Sequence, residues 1–75
     1  MAMATVIQER IADQIRERFG DRLAATVPET AEALSISHGH TKNLIASGEI
    51  PSVKIGDSRR VPVAAIQRIL TEGAR

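Results

Sequence analysis

Thr26-Val27-Pro28-Glu29-Thr30-Ala31-Glu32-Ala33-Leu34-Ser35-Ile36-Ser37, continuing into His38-Gly39-His40-Thr41-Lys42-Asn43-Leu44-Ile45-Ala46-Ser47-Gly48, is the stretch that decides the fold. Thr26 and Glu29 stand in the T-x-x-E relation of a capping box, and a proline is tolerated in a first helical turn. Val27, Ala31 and Leu34 then share one face of a helix of about two turns that ends near Leu34. Ser35-Ile36-Ser37 reads as a tight turn. Ser37 is a good N-cap for a further helix running to about Ser47, which Gly48 closes. Two short helices joined by so few residues, the second capped by serine, form a helix-turn-helix pattern.

Downstream, Val53 and Ile55 alternate around Lys54, Gly56-Asp57-Ser58 has turn chemistry, and Arg59-Arg60-Val61-Pro62 returns as a second strand. A β-hairpin directly after a helix-turn-helix is a wing. Residues 63–71 close the chain as a helix with Ile66, Ile69 and Leu70 expected inward. Upstream, residues 5–19 read as an amphipathic helix in which Ile7, Ile11, Ile15 and Phe19 recur every four residues. That row drifts only about 40° per step, so it stays one stripe. Thr5 with Gln8 fits a capping box at its start and Gly20 a C-cap at its end. Ala24 to Val27 reads as a link. The expected fold is mostly α with a small β-hairpin. Residues 1–25 form an N-terminal helix and link, and residues 26–75 a winged helix-turn-helix. No internal repeat or low-complexity tract interrupts it.

The chain has 75 residues, 43% of them hydrophobic and 25% charged, which is one small globular domain rather than two. Phe19 is its one aromatic residue, so the core is aliphatic. Stability on the order of 3–5 kcal/mol is expected of such a domain. The absence of cysteine excludes disulfides, thiolate metal sites and thiol nucleophiles. The opening residues lack the basic and apolar regions of a signal peptide, and no apolar run approaches the ~18 residues of a membrane span, so a cytoplasmic location is expected. The net charge of +1 conceals an asymmetry: the positive excess begins after residue 37, where Lys42, Lys54, Arg59 and Arg60 outnumber Glu49 and Asp57.

On the helix after the turn, Thr41, Leu44 and Ile45 share the core face. The opposite face is Gly39, Asn43 and Ala46, flanked by Lys42 and His40. Asn43 is the side chain to place against a base edge, because a primary amide pairs bidentately with adenine. Gly39 lets the backbone approach DNA closely, at a helix-propensity cost of about 1 kcal/mol. His38, His40 and Lys42 reach phosphates or bases from the flanks. Alone, this is a solvated helix face; joined to a capped preceding helix and a basic hairpin, it reads as a recognition surface. Lys54, Arg59 and Arg60 lie on the hairpin arms. Adjacent Arg59 and Arg60 point to opposite faces, so one enters a groove while the other meets a phosphate or folds back. The plainer alternative is that these charges protect a strand edge.

His38 and His40 point about 200° apart on a helix and cannot share an ion, so no metal is expected. Ser35, Ser37, Ser47, Ser52 and Ser58 fall in caps and turns, and there is no nucleophile–base arrangement and no phosphate-binding glycine loop. Neither enzymatic activity nor a cofactor is expected. The Ile7/Ile11/Ile15/Phe19 stripe either packs on the chain's own core or serves self-association. An adaptor that docks a partner through this stripe is the reading outside nucleic-acid binding.

Thr26 to Ser37 resembles the first half of the excisionase-type, MerR-like winged-helix module, whose pattern is T-V-x-E-A-A-x-x-L-G-V-S. Leu44 to Gly56 resembles its L-I-x-x-G-E-L-P-x-x-R-V-G, and Arg59 to Ile66 its R-R-I-P-x-x-A-L. The resemblance covers residues 26 to about 70. It implies binding to double-stranded DNA, with His38, Gly39, His40, Lys42 and Asn43 in the major groove and Lys54, Arg59 and Arg60 on the wing. It further implies an excisionase: a small phage or mobile-element protein that binds directly repeated sites cooperatively, bends DNA and directs a site-specific integrase toward excision. A compact transcriptional regulator is the competing role within the family. Where the family often carries Arg-Ser-Thr-Val-Tyr-Arg, this chain has His38 to Asn43, which implies less guanine readout. The helix at residues 5–19 lies outside the minimal module. No small-molecule ligand and no membrane partner is implied.

Overall fold

Among residues 2–73, which the computed structural model describes with side chains from residue 6 onward, the order is α1 (Ala2–Phe19), β1 (Ala24–Ala25), α2 (Val27–Leu34), α3 (His38–Ala46), β2 (Val53–Ile55), β3 (Ser58–Pro62) and α4 (Val63–Glu72). Helix α1 starts at Ala2, so Thr5 lies inside it and is not its N-cap; the side chain of Thr5 is outside the described residues. Its end is as expected: Gly20 takes φ +60° and its N–H donates to the Arg16 carbonyl at 2.7 Å.

The caps of α2 and α3 are built by the residues that announce them. Glu29 N–H donates to Thr26 Oγ1 at 3.1 Å, and Thr26 N–H to Glu29 Oε1 at 2.9 Å. The Ser37 hydroxyl accepts from His40 N–H at 3.0 Å. Between the helices Ser35 is left-handed, at φ 58°. There the N–H groups of Ile36 and Ser35 return to the carbonyls of Ala31 and Glu32, at 3.0 and 3.2 Å, the double bond of a Schellman closure. The family pattern quoted above has glycine here, the residue with no Cβ penalty in that conformation.

The Ala24–Val27 link needs correction. Ala24 and Ala25 form a strand that pairs antiparallel with β3, Ala24 opposite Pro62 and Ala25 opposite Val61, giving a three-stranded sheet in the order β1-β3-β2. Alanine has no strand preference and two residues show no alternation, so the sequence carries no sign of it. Ala25 is fully buried, and pairing is what satisfies a buried backbone.

Ile15, Phe19, Ala25, Ile50, Val61 and Ile66 meet in one core, with Leu44, Ile45 and Ile69 packed against it. The helix upstream of residue 25 therefore shares its core with the helix-turn-helix. The N-terminal stripe divides: Ile15 and Phe19 are buried, Ile11 is half-buried and Ile7 is 51% exposed. Leu70, expected inward, is 38% exposed, because it stands at the rim of a groove between α1 and α4. The buried hydroxyls of Thr30 and Thr41 donate back to the carbonyls of Thr26 and Ser37, both at 2.8 Å, so neither is left unsatisfied.

Glu29 has a second task. Arg22 donates to both its carboxylate oxygens, at 2.6 and 2.5 Å, and sits 5.8 Å from the Phe19 ring centroid. The Arg22 hydrogen bonds first, then the Thr26 N–H, hold the Glu29 carboxyl down at about 2. Its folded-state affinity for a proton is thus below the unfolded one. Its contribution to stability is complete above its ordinary 4.5 and is lost as pH falls toward about 2. Acid titration of the unfolding free energy should lose that component in Glu29→Gln. Ser35→Gly is expected to raise stability by about 0.5–1 kcal/mol, read as a higher denaturation midpoint at an unchanged m-value.

Candidate nucleic-acid interface

Thr41, fully buried, and half-buried Leu44 and Ile45 turn one side of α3 to the core. His38, Gly39, His40, Lys42, Asn43 and Ala46 are left exposed on the other. A Cβ built on Gly39 meets nothing within 4 Å, so no contact inside the protein calls for glycine there.

The wing is held by its register. Lys54 lies opposite Arg59, Val53 opposite Arg60 and Ile55 opposite Ser58 across the Gly56-Asp57 turn. Gly56 has φ +62°, the left-handed start that a two-residue hairpin loop requires. Residues two apart on a strand share a face, and Val61 is in the core. Hence Lys54 and Arg59 lie on the face that continues toward the body. Val53 and Ile55, 47% and 61% exposed, lie on the outer face with Arg60. Alternation located this strand without revealing which face turns outward.

The two arginines separate as adjacent strand residues should. Arg60 Nη1 folds back to donate to the Arg59 carbonyl at 3.1 Å. Arg59 Nη1 donates to Ser52 Oγ at 3.0 Å and lines a cleft of about 490 Å³ together with Val27, Lys42, Ile45 and Ala46. The first residue of α2, the edge of α3 where Lys42 and Ala46 meet half-buried Ile45, and the wing thus border one cleft with a cation on each of two walls. Nothing in the residue spacing pointed to Val27 in this cleft or to Ser52 as the partner of Arg59, which tertiary packing brings together.

The electrostatics of this surface are unbalanced. Like charges directly opposite on a sheet repel, and Lys54 faces Arg59. Among the described residues the ion pair found is Arg22–Glu29, so Lys42, Lys54, Arg59 and Arg60 have no carboxylate partner. Such a surface is costly to hold and is relieved by an anion that spans it.

Residues 26–74 match the family model of the helix-turn-helix domain. The chain belongs to that family. It is also 47% identical over 49 residues to a protein named "Probable excisionase" from Saccharopolyspora erythraea, a match covering 65% of this chain and 50% of that one. The chain therefore spans about half the length of the curated relative it matches. No solved structure matches it. The family match makes this a helix-turn-helix DNA-binding chain, and the three-stranded sheet and four helices among its described residues are those of a winged helix-turn-helix. The match begins at Thr26, so α1 and β1 lie outside it. No helix among the described residues is long and apolar enough to cross a membrane.

Gly39→Ala separates folding from binding. It is expected to stabilise the fold by up to about 1 kcal/mol through helix propensity while weakening DNA binding, because its methyl group projects from the outer face. Denaturation and DNA titration on the same preparation check both signs.

Proposed function

We propose that this chain is an excisionase, which binds repeated duplex sites cooperatively, bends the DNA between them and so directs a site-specific integrase toward excision. Asn43 reads a base edge in the major groove, with His38, Gly39 and His40 beside it. Lys42 and Arg59 hold the sugar-phosphate strand in the cleft between α3 and the wing, and Lys54 and Arg60 add charge along the hairpin. The observation that carries this reading is that cleft, walled by two cations that have no carboxylate partner among the described residues and opening beside the exposed side of α3. The likeness to a protein named a probable excisionase supports the recombination role.

Magnitudes favour cooperative action. The four cations set a log–log salt slope of at most about −3.6 per protomer. A single module buries ~600–1,000 Å² on DNA and holds its site weakly at physiological salt. Several copies that share contacts or the cost of a bend hold it well.

Fragments of the source genome selected by the chain and footprinted are expected to carry closely spaced repeats beside a recombination junction, and adding the chain to integrase should then promote excision. Sites overlapping promoters, with no effect on excision, would make it a transcriptional regulator. Lys42→Ala and Arg59→Ala should each make the salt slope shallower by about 0.9 with sequence preference unchanged. Asn43→Ala should relax preference at one base position; full selectivity in that variant would remove Asn43 from the reading role.

A further inference from the structure

We infer that two copies of this chain pair antiparallel through α1 about a two-fold axis near Asp13, closing over the apolar groove between α1 and α4. The groove, about 570 Å³, is lined by Ile11, Gln14, Ile15, Ala33 and Leu70, with Glu17 and Arg18 on its polar flank. On its N-terminal side residues 6–10 of α1 are all exposed, Ile7 by 51%. At 1.5 Å per residue α1 is about 27 Å long, against principal dimensions of 42 × 26 × 17 Å for the whole molecule. Isoleucine on a projecting helix beside an open apolar groove needs a cover.

The charges along the helix name that cover. Arg10 and Glu17 are seven residues apart, about 20° apart around the helix and about 10.5 Å apart along it, on the flank that borders the groove. Among the described residues neither takes part in an ion pair. Opposite charges placed symmetrically about the middle of one flank are self-complementary. A copy running the other way sets its Glu17 against Arg10 and its Arg10 against Glu17, as an isologous contact requires. The same axis brings Ile11 of each copy to Ile15 of the other and lays Ile7 over the aliphatic stem of Arg18. On the groove side of α1 the charged residues are Arg10, Glu17 and Arg18, of which Arg10 and Glu17 make the self-complementary pair.

This pairing goes beyond the proposed function: a closed pair is a contact of the free chain, distinct from whatever joins several copies along repeated sites. It offers the two α3 helices in opposite orientations, so a pair spans inverted half-sites. It is measured without DNA, so its failure and that of the DNA-binding reading are read separately. Sedimentation equilibrium of the full chain across the micromolar range should show a mass rising from 8.1 kDa to twice that and no further. Arg10→Glu and Glu17→Arg should each weaken the dimer about tenfold, because each turns two attractive contacts into two repulsive ones, and the double reversal should restore it to within about threefold. Ile7→Asp, outside the core, should stay at the protomer mass with its helical circular dichroism intact. A protomer mass for the wild-type chain at every concentration, growth beyond two copies, or a double reversal weaker than either single variant each overturns the proposal.

Discussion

Ile50, Val61 and Ile66 have almost no exposed surface, and the placement of every functional element depends on their meeting. Ile50 follows α3, Val61 lies on the wing and Ile66 in the last helix, so one aliphatic cluster holds recognition helix and wing in a fixed relation. A chain with one aromatic residue has no second core to fall back on. Phe19 and Ile15 reach into this cluster from α1, so the N-terminal helix supports a module whose family pattern does not include it.

The surface follows from what that core leaves out. With Thr41, Leu44 and Ile45 turned inward, the outer side of α3 carries small and polar residues, and the wing turns Arg59 toward the cleft beside it, with Lys54 opposite Arg59 on the neighbouring strand. Like charges stand opposite one another there, with no carboxylate paired to them among the described residues. A stable monomer gains nothing from that arrangement, whereas a polyanion lying across it relieves the repulsion. The same contrast separates the chain's two faces. Among the described residues the cations at α3 and the wing have no carboxylate partner, while α1 carries acids and bases together.

Glu29 shows how few groups carry the local architecture. One carboxylate caps the α2 backbone and receives both arms of Arg22, tying the segment after α1 to the start of the helix-turn-helix. An exposed ion pair by itself contributes little. Its effect here lies in joining a cap, a cation over Phe19 and the turn before β1 in one place.

Much of this was legible in the residues themselves, because it is local. A capping threonine with glutamate three residues on, a serine before His38 and a glycine after Phe19 act within one turn of the chain, and the structure builds each of them as read. Hydrophobic spacing likewise placed the helices and the core side of α3. What the tertiary structure alone decided depends on partners distant in sequence. Ala24–Ala25 is a strand only because β3 lies beside it. Arg59 rather than Arg60 lines the cleft because Val61 anchors that face of β3 in the core. The isoleucine stripe of α1 divides into a buried and an open half because α4 and the rest of the body cover only part of its length. Periodicity records which residues share a face, but the packing of other elements determines how much of that face is covered.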